Sequence, residues 1–234
     1  ESNGITSAPM HDMGIELSQE EYGNAVKQAM RLVEETHDAK EYGSLINVAP
    51  GDWGLLRRFA IPRGNSEGQM RLDIHGEIAA SEKLQDLINI GEALSQKYHV
   101  VVTNPPYMGS KQGMNDTLKK YLSNHYDRSR SDLYGVFMEV SNNLAKENGY
   151  IGMINQHGWM FLSSFSKLRA DVVKNDAIIN MVHLGTHAFE EIGGEVVQTT
   201  TFVLQKNKLN YRGKYIRVTD ISDPEKKRQE VINV

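Results

Sequence analysis

The stretch Val100-Val101-Val102-Thr103-Asn104-Pro105-Pro106-Tyr107 decides the fold of this chain. Its β-branched residues predict a buried strand, which must end at Asn104 because neither following proline can donate to a sheet ladder. Proline also forces the residue before it into extended backbone, so Asn104 is held at the carboxyl end of the strand. In an open α/β sheet, that end is where ligands bind. A bare Asn-Pro-Pro also fits a simple turn without a function, so the choice between a turn and a binding site depends on the surrounding sequence.

Length and composition indicate an ordinary globular chain. Its 234 residues suffice for one α/β domain with a sizeable core, with or without an appendage. It has no cysteine, which excludes disulfides and thiolate metal sites, and we interpret the spaced pair His183 and His187 as non-metal residues. The net charge of −4 argues against a chain that coats nucleic acid, although a local basic strip remains compatible with duplex binding. Without a signal peptide or a long apolar run, we expect a cytoplasmic location.

Helical and strand patterns alternate on both sides of the motif. Residues 50–68 contain four glycines and two prolines and predict an irregular connection. Ser131 or Asp132 is predicted to cap a helix that ends at Gly149. Further periodic patterns predict helices at about 18–38, 78–94 and 164–173, and strands at 150–154, 178–184, 196–204 and 214–218.

The segment 108–130 is the most basic stretch beside the motif. Lys111, Arg128 and Arg130 are therefore candidate phosphate contacts. A charge run fits a solvated loop face equally well, and both interpretations stay open.

The motif and the elements after it resemble the γ-type N6-adenine-specific DNA methyltransferases, especially the large enzymes of phage-exclusion and restriction-modification systems. The resemblance covers about Tyr98 to Lys206. Besides Asn-Pro-Pro-Tyr, it rests on Asp-Leu-Tyr-Gly-Val-Phe-Met-Glu at 132–139, Asn-Gly-Tyr-Ile-Gly-Met-Ile at 148–154, and the segment 185–205. It implies an α/β fold, namely part of a Rossmann-like methyltransferase sheet that is mostly parallel with one antiparallel strand and flanking helices.

This resemblance also implies a division of the chain into three parts. Residues 1–97 would form a mainly helical lead-in with an irregular connection. Residues 98–208 would be the C-terminal half of a methyltransferase domain with the target-base site. Residues 209–234 would add a short strand and a charged tail.

The chemistry implied is methyl transfer from S-adenosylmethionine to N6 of an adenine in double-stranded DNA. The Asn104 side-chain oxygen and the Pro105 carbonyl would accept hydrogen bonds from the amine, with Pro106 completing the rigid turn. The adenine must be flipped out of the duplex, and Tyr107 and Phe189 would be its aromatic walls. Asn104 would also contact the cofactor. An ordinary core phenylalanine is the other interpretation of Phe189, and we predict that Trp159 and Phe161 are core residues.

The cofactor half of such a site is missing from the sequence. There is no G-x-G turn anywhere, and no acidic ribose ligand can be identified. We expect a piece that starts downstream of the cofactor motif, since the chain begins at Glu1, and we expect weak or no S-adenosylmethionine binding and no turnover by this piece alone. Other subunits of a defence or restriction-modification system are candidate partners.

Two alternatives stay open at this point. The same tetrad occurs in enzymes that methylate a glutamine amide of a protein or an RNA base. A non-catalytic DNA-binding or interaction module that keeps the base pocket would also fit the missing glycine-rich turn.

Overall fold

The computed structural model describes residues 17–61, 74–111, 113–186, 188, 197–207 and 210–233. The chain divides into two compact units, residues 1–95 and residues 96–234. None of the helices in the described ranges is both long and apolar enough to cross a membrane.

The first unit is helical in its described part. Its helices are α1 (Gln19–Glu35), α2 (Ala39–Tyr42), α3 (Trp53–Phe59) and α4 (Ile74–Ser95), with a 3-10 turn at Gly43–Leu45. α1 starts at a capping box, in which Ser18 and Glu21 each accept a hydrogen bond from the other's backbone amide. The prediction of an irregular connection over residues 50–68 was wrong where α3 lies. Asp52 caps that helix by accepting from the Leu55 amide at 2.9 Å, and the apolar side of α3 is buried.

The second unit holds the sheet. Its described elements are β1 (Tyr98–Thr103), α5 (Asp116–His125), α6 (Leu133–Leu144), β2 (Ala145–Gln156), α7 (Ser166–Asn175), β3 (Asp176–Gly185), β4 (Thr199–Lys206), β5 (Lys214–Arg217) and α8 (Pro224–Ile232). Two 3-10 turns, His157–Met160 and Ser163–Phe165, join β2 to α7. The strand order is β1-β2-β4-β3-β5. β1 and β2 are parallel, β3 and β5 are parallel, and β4 runs antiparallel to both neighbours. The predicted α/β sheet with one antiparallel strand is confirmed.

One face of the sheet carries the core of this unit. Tyr134 and Met138 from α6 and Leu168 from α7 pack there against Met153 of β2 and Phe202 of β4. These five side chains are almost completely buried, so this face fixes α6 and α7 against the sheet.

The opposite face of β1 is open, which differs from the prediction of a buried strand. Val100 is 58% exposed and Val102 is 75% exposed. β1 is at the edge of the described sheet, and its alternate side chains point to opposite faces, so only the Val101 side contributes to the core.

The helix predicted to run to Gly149 ends five residues earlier, at Leu144. Ala145 already has extended backbone, and Asn148 adopts a positive φ of 63° at a kink early in β2. The kink requires glycine at position 149, because a Cβ there would lie 2.8 Å from the Lys146 carbonyl oxygen.

The charged tail contains a helix, α8, in which the side chain of Lys227 is buried, with 4% exposed.

Candidate active site

The Asn-Pro-Pro-Tyr segment leaves the sheet where the sequence predicts. β1 pairs with β2 in parallel register, with Thr103 opposite Met153, so Asn104 lies beside the carboxyl end of β2. Asn104 is exposed and Pro105 is buried. The arrangement presents an amide side chain to solvent on a backbone that two prolines make rigid.

Tyr107 turns back onto the core of the second unit. Its ring is perpendicular to that of Tyr134, with an interplanar angle of 87° and centroids 6.1 Å apart. The hydroxyl is buried and has no hydrogen-bond partner among the described residues. Burial also raises the pKa of Tyr107. Tyr107 is therefore a fixed, uncharged aromatic group beside Asn104.

The loop after Tyr107 is bound to the start of α6. Gly109 forms a β-bridge with Asp132, the Leu133 amide donates to the Met108 carbonyl at 3.1 Å, and the Ser110 amide donates to Ser131 at 2.9 Å. The Asp132 carboxylate caps α6, as predicted, and also accepts from the Met108 amide at 3.0 Å. This second contact was not predicted. The sequence shows the Asp-Leu-Tyr string but does not show that its aspartate contacts Met108.

A row of polar side chains lies near the carboxyl ends of β2 and β3, on the face of the sheet that carries Met153 and Phe202. Asn155 of β2 pairs with Thr200 of β4, which pairs with His183 of β3. Asn155 and Thr200 are fully buried, and the Thr200 hydroxyl donates to the Val182 carbonyl at 3.1 Å. The Asn155 side-chain oxygen has no partner among the described residues.

The row ends in a histidine pair that the sequence did not reveal. Nδ1 of His157 and Nε2 of His183 are 2.9 Å apart, so one nitrogen donates to the other. Burial lowers the pKa of both rings, and for His183 the charges of His157 and Arg217 lower it further. His187 lies outside the described residues. In the described part of the chain, no group of three or more metal-ligating side chains comes together.

Trp159 and Phe161, both predicted as core residues, differ in position. Trp159 is 3% exposed and packs on Phe202. Phe161 is 62% exposed, so that prediction was wrong. It directly follows a 3-10 turn. Arg169 donates hydrogen bonds to the carbonyls of Trp159 and Leu162, on either side of Phe161 in the chain, at 2.8 and 2.6 Å.

The three predicted phosphate contacts have different surroundings. Lys111 is exposed in the loop after Tyr107. Arg128 is occupied internally, because its guanidinium contacts the carboxylates of Glu139 and Asp171, each at 2.6 Å. Arg130 is more open, with one oxygen of Asp127 at 3.4 Å. Their contacts with a phosphate stay predictions, and Phe189, the predicted second aromatic wall, lies outside the described residues.

The residues present fit the target-base half of a methyltransferase site better than the cofactor half. Asn104 and the Pro105 carbonyl are acceptors suited to an amine, and Tyr107 adds an aromatic ring to the same segment. Asn104 is the described residue predicted to contact S-adenosylmethionine. The chain has neither the glycine-rich turn nor an acidic residue assignable to the ribose, so the fit to the cofactor is partial.

Comparison with known proteins gives one consistent family. A model of the Eco57I restriction-modification methylase family matches residues 34–189. The chain is 48% identical over 193 residues to the adenine-specific methyltransferase PglX of Lacticaseibacillus casei, covering 81% of this chain and 16% of PglX. It is 40% identical over 205 residues to the adenine-specific methyltransferase BrxX of Escherichia coli, covering 86% of this chain and 16% of BrxX.

The chain thus spans about a sixth of the length of these two relatives. Among solved structures, a class I S-adenosylmethionine-dependent methyltransferase from Listeria monocytogenes is similar, with 13% identity and a TM-score of 0.43. That similarity covers 95% of this chain and 72% of the other.

Proposed function

This chain belongs to the Eco57I restriction-modification methylase family, and on that premise we propose that it carries the target-base half of an adenine-N6 methyltransferase centre. The substrate is an adenine in double-stranded DNA. The whole protein acts in restriction-modification or phage defence, in the cytoplasm and together with further subunits.

The observation that carries this proposal is the position of Asn104. An amide side chain and the following carbonyl stand at the end of a parallel strand, fixed by two prolines, and Tyr107 follows directly after the second proline. An exocyclic amine has two N–H groups, and this site offers two acceptors for them. Preorganised acceptors of this kind need no rearrangement when the amine arrives.

Asn104 and Pro105 act by orienting the adenine amine. The adenine amine is a weak nucleophile because its lone pair is delocalised into the ring. Donating its hydrogens to the Asn104 side-chain oxygen and the Pro105 carbonyl makes the nitrogen more tetrahedral and directs its lone pair. S-adenosylmethionine, when bound, supplies the methyl group. The amine proton leaves late, so a neutral amide suffices and no strong general base is required.

Tyr107 contributes by stacking on the flipped base. Base–aromatic stacking is worth about 1–3 kcal/mol per base, which offsets part of the cost of unstacking the adenine. Its perpendicular contact with Tyr134 keeps the ring from rotating away. We propose Phe189 as the opposite wall.

Lys111 and Arg130 are the proposed phosphate contacts. Both side chains are exposed and lie in the segment between the motif and α6. Contacts of this kind position the duplex without reading its sequence. Arg128 is left out of this set because it already neutralises two carboxylates.

The test is a methylation assay of the full-length protein on double-stranded DNA, RNA and a glutamine-containing release-factor protein. We expect methyl transfer to DNA only, at adenine. Asn104→Ala should abolish product while DNA affinity stays within about twofold. Undiminished turnover by Asn104→Ala, or methylation of RNA or protein in place of DNA, would refute the proposal.

The separate proposal that this piece alone is inactive has its own measurement. Calorimetric titration of residues 1–234 with S-adenosylmethionine should give weak or no binding, and the same piece should give no methylated DNA. Tight binding and turnover by the piece would contradict this part and leave the assignment of the base site intact.

A further inference from the structure

One carboxylate oxygen joins the loop after Tyr107 to the helix that supports Tyr107. Oδ1 of Asp132 accepts from the Met108 amide at 3.0 Å and from the Tyr134 amide at 3.3 Å. We infer that Asp132 is a positioning residue for the proposed methyl transfer, which acts by fixing the backbone directly after Asn-Pro-Pro-Tyr. This inference rests on the proposed function.

The first of these bonds acts on the motif itself. Met108 directly follows Tyr107, so a bond to its amide fixes the peptide plane between the two residues. The neighbouring backbone bonds, from Leu133 to Met108 and from Ser110 to Ser131, align the loop with the start of α6. Of these bonds, the one to the carboxylate involves the peptide group that directly follows Tyr107.

The second bond fixes the backbone of Tyr134, whose ring packs against Tyr107. Tyr134 is 2% exposed, and its ring contacts the rings of Tyr107 and Phe165, with centroids 6.1 and 5.3 Å away. The Asp132 oxygen therefore holds the backbone of both tyrosines that form the perpendicular pair. A movement of this oxygen would shift Tyr107 and Tyr134 together.

Helix capping alone does not account for this geometry. Asp52, Asn115 and Asp223 each accept from the third residue of their own helix, at 2.9, 2.8 and 2.8 Å. Asp132 accepts from the second residue of its helix and shares the same oxygen with an amide 24 residues away. This cap is displaced toward the motif loop.

Keeping a carboxylate at this place has a cost. Burial raises the pKa of Asp132, against the opposing effect of the amides that donate to it. Its second oxygen also leaves little room on the loop side, because a Cβ on Gly109 would lie 3.3 Å from it. A neutral asparagine would avoid the cost of burying charge while keeping one acceptor oxygen, which makes it the informative replacement.

The experiment uses the full-length protein with Asp132→Ala, Asp132→Asn and, as a matched control, Asp52→Ala, which removes an ordinary aspartate cap from α3. Methylation kinetics, DNA affinity, the fluorescence of 2-aminopurine at the target position and the melting temperature are measured for each. Misplacement by about 1 Å can reduce a rate a hundredfold. We expect Asp132→Ala to lower kcat about ten- to a hundredfold with DNA affinity within about twofold and altered 2-aminopurine fluorescence.

The two other variants separate positioning from stability. Asp132→Asn should recover kcat to within a few-fold, with a melting temperature no lower than that of the wild type. Asp52→Ala should lower the melting temperature and leave kcat unchanged. Full kcat in Asp132→Ala would reduce Asp132 to a helix cap and overturn the inference. Loss of kcat in Asp132→Asn at an unchanged melting temperature would show that the charge acts directly, which also overturns it.

Hydrogen–deuterium exchange keeps this test independent of the methylation assay. In Asp132→Ala, exchange in the peptide covering residues 104–111 should rise at least tenfold, and in Asp132→Asn it should not. If the wild type fails to methylate DNA, the proposed function fails, but this exchange result still reports on the Asp132 contact. Unchanged exchange in Asp132→Ala would overturn the inference whatever the substrate.

Discussion

His157 Nδ1 donates to or accepts from His183 Nε2 across 2.9 Å, and this bond ties the end of β2 to β3 over the strand between them. The bond requires one nitrogen with a hydrogen and one without. It is therefore incompatible with two fully protonated rings, which would place two N–H groups and two positive charges against each other.

The histidine pair makes stability depend on pH. The folded-state pKa of both rings is lowered, first by burial, so below the ordinary value of 6.5 the unfolded chain binds more protons than the folded one. The free energy of unfolding should then fall as pH decreases from about 7 through 6.5 toward the folded-state values. Urea denaturation from pH 8 to pH 5.5 measures this slope.

The double variant His157→Gln/His183→Gln should flatten that slope, because it removes both groups. His37→Gln, which removes an exposed histidine outside the pair, is the matched control. A slope that is the same in the double variant and in the wild type would contradict the prediction.

Arg128→Ala should reduce stability. It leaves the Glu139 side chain, 6% exposed, without its guanidinium partner, whereas Arg128 itself is 43% exposed. Because of that partial exposure we expect a loss of about 1–3 kcal/mol in the free energy of unfolding, less than for a fully buried pair. Urea denaturation at neutral pH checks this, and a change below about 0.5 kcal/mol would count against it.

Arg130→Ala should act on DNA binding instead. Its ion pair with Asp127 is exposed on both sides, so its removal should change the free energy of unfolding by less than about 0.5 kcal/mol. If Arg130 contacts a phosphate in the full-length protein, the slope of log affinity against log salt should decrease by about 1. Affinity measured at several salt concentrations reports this, and an unchanged slope would remove Arg130 from the phosphate contacts.

Lys227→Met should loosen the end of β3. The buried Lys227 ammonium donates to the carbonyl of Leu184 at 2.7 Å and to that of Thr186. Removing the ammonium takes a donor away from two carbonyl oxygens, which should lower the free energy of unfolding by about 1–3 kcal/mol. Part of this loss is offset because the variant no longer buries a charge, a cost that shows as the lowered pKa of Lys227. Urea denaturation should show the loss. Lys226→Met, exposed on the same helix, should show none, and equal losses in both variants would contradict the prediction.

Tyr107→Phe and Tyr107→Ala should have opposite effects. The phenylalanine variant removes a buried hydroxyl that has no described partner, so the free energy of unfolding should stay equal or rise by up to about 1 kcal/mol. In the full-length protein it should also keep methylation. The alanine variant removes the stacking ring and should lower both stability and kcat. Loss of activity in Tyr107→Phe would show that the hydroxyl takes part.

The motif and its sheet could be predicted because their signals are local. Val100 to Val102 indicate a strand and the prolines end it, whatever lies elsewhere in the chain. The bond between Asp132 and Met108 and the contact between His157 and His183 each join residues that are far apart in sequence, and a single sequence does not show which distant residues meet. The positions of Arg128 and Arg130 differ for the same reason, since the carboxylates that neutralise Arg128 lie further along the chain.

Exposure was also hard to predict from residue type. Trp159 and Phe161 are both large aromatics two residues apart, yet only Trp159 is buried. Trp159 lies within a 3-10 turn and packs on Phe202, whereas Phe161 follows that turn, and residue type alone does not show where such a turn falls.

The position of β4 between β2 and β3 gives it one partner that is near in sequence and one that is far. β3 and β4 follow each other in the chain and pair as an antiparallel hairpin. β2 reaches that hairpin only through contacts such as the Thr201 hydroxyl to the Met153 carbonyl, 48 residues apart. Closing so long a loop costs entropy before any contact repays it, so we expect the hairpin to form first and to dock on β2 later. In that order of events, the polar row and the histidine pair are assembled in the last step.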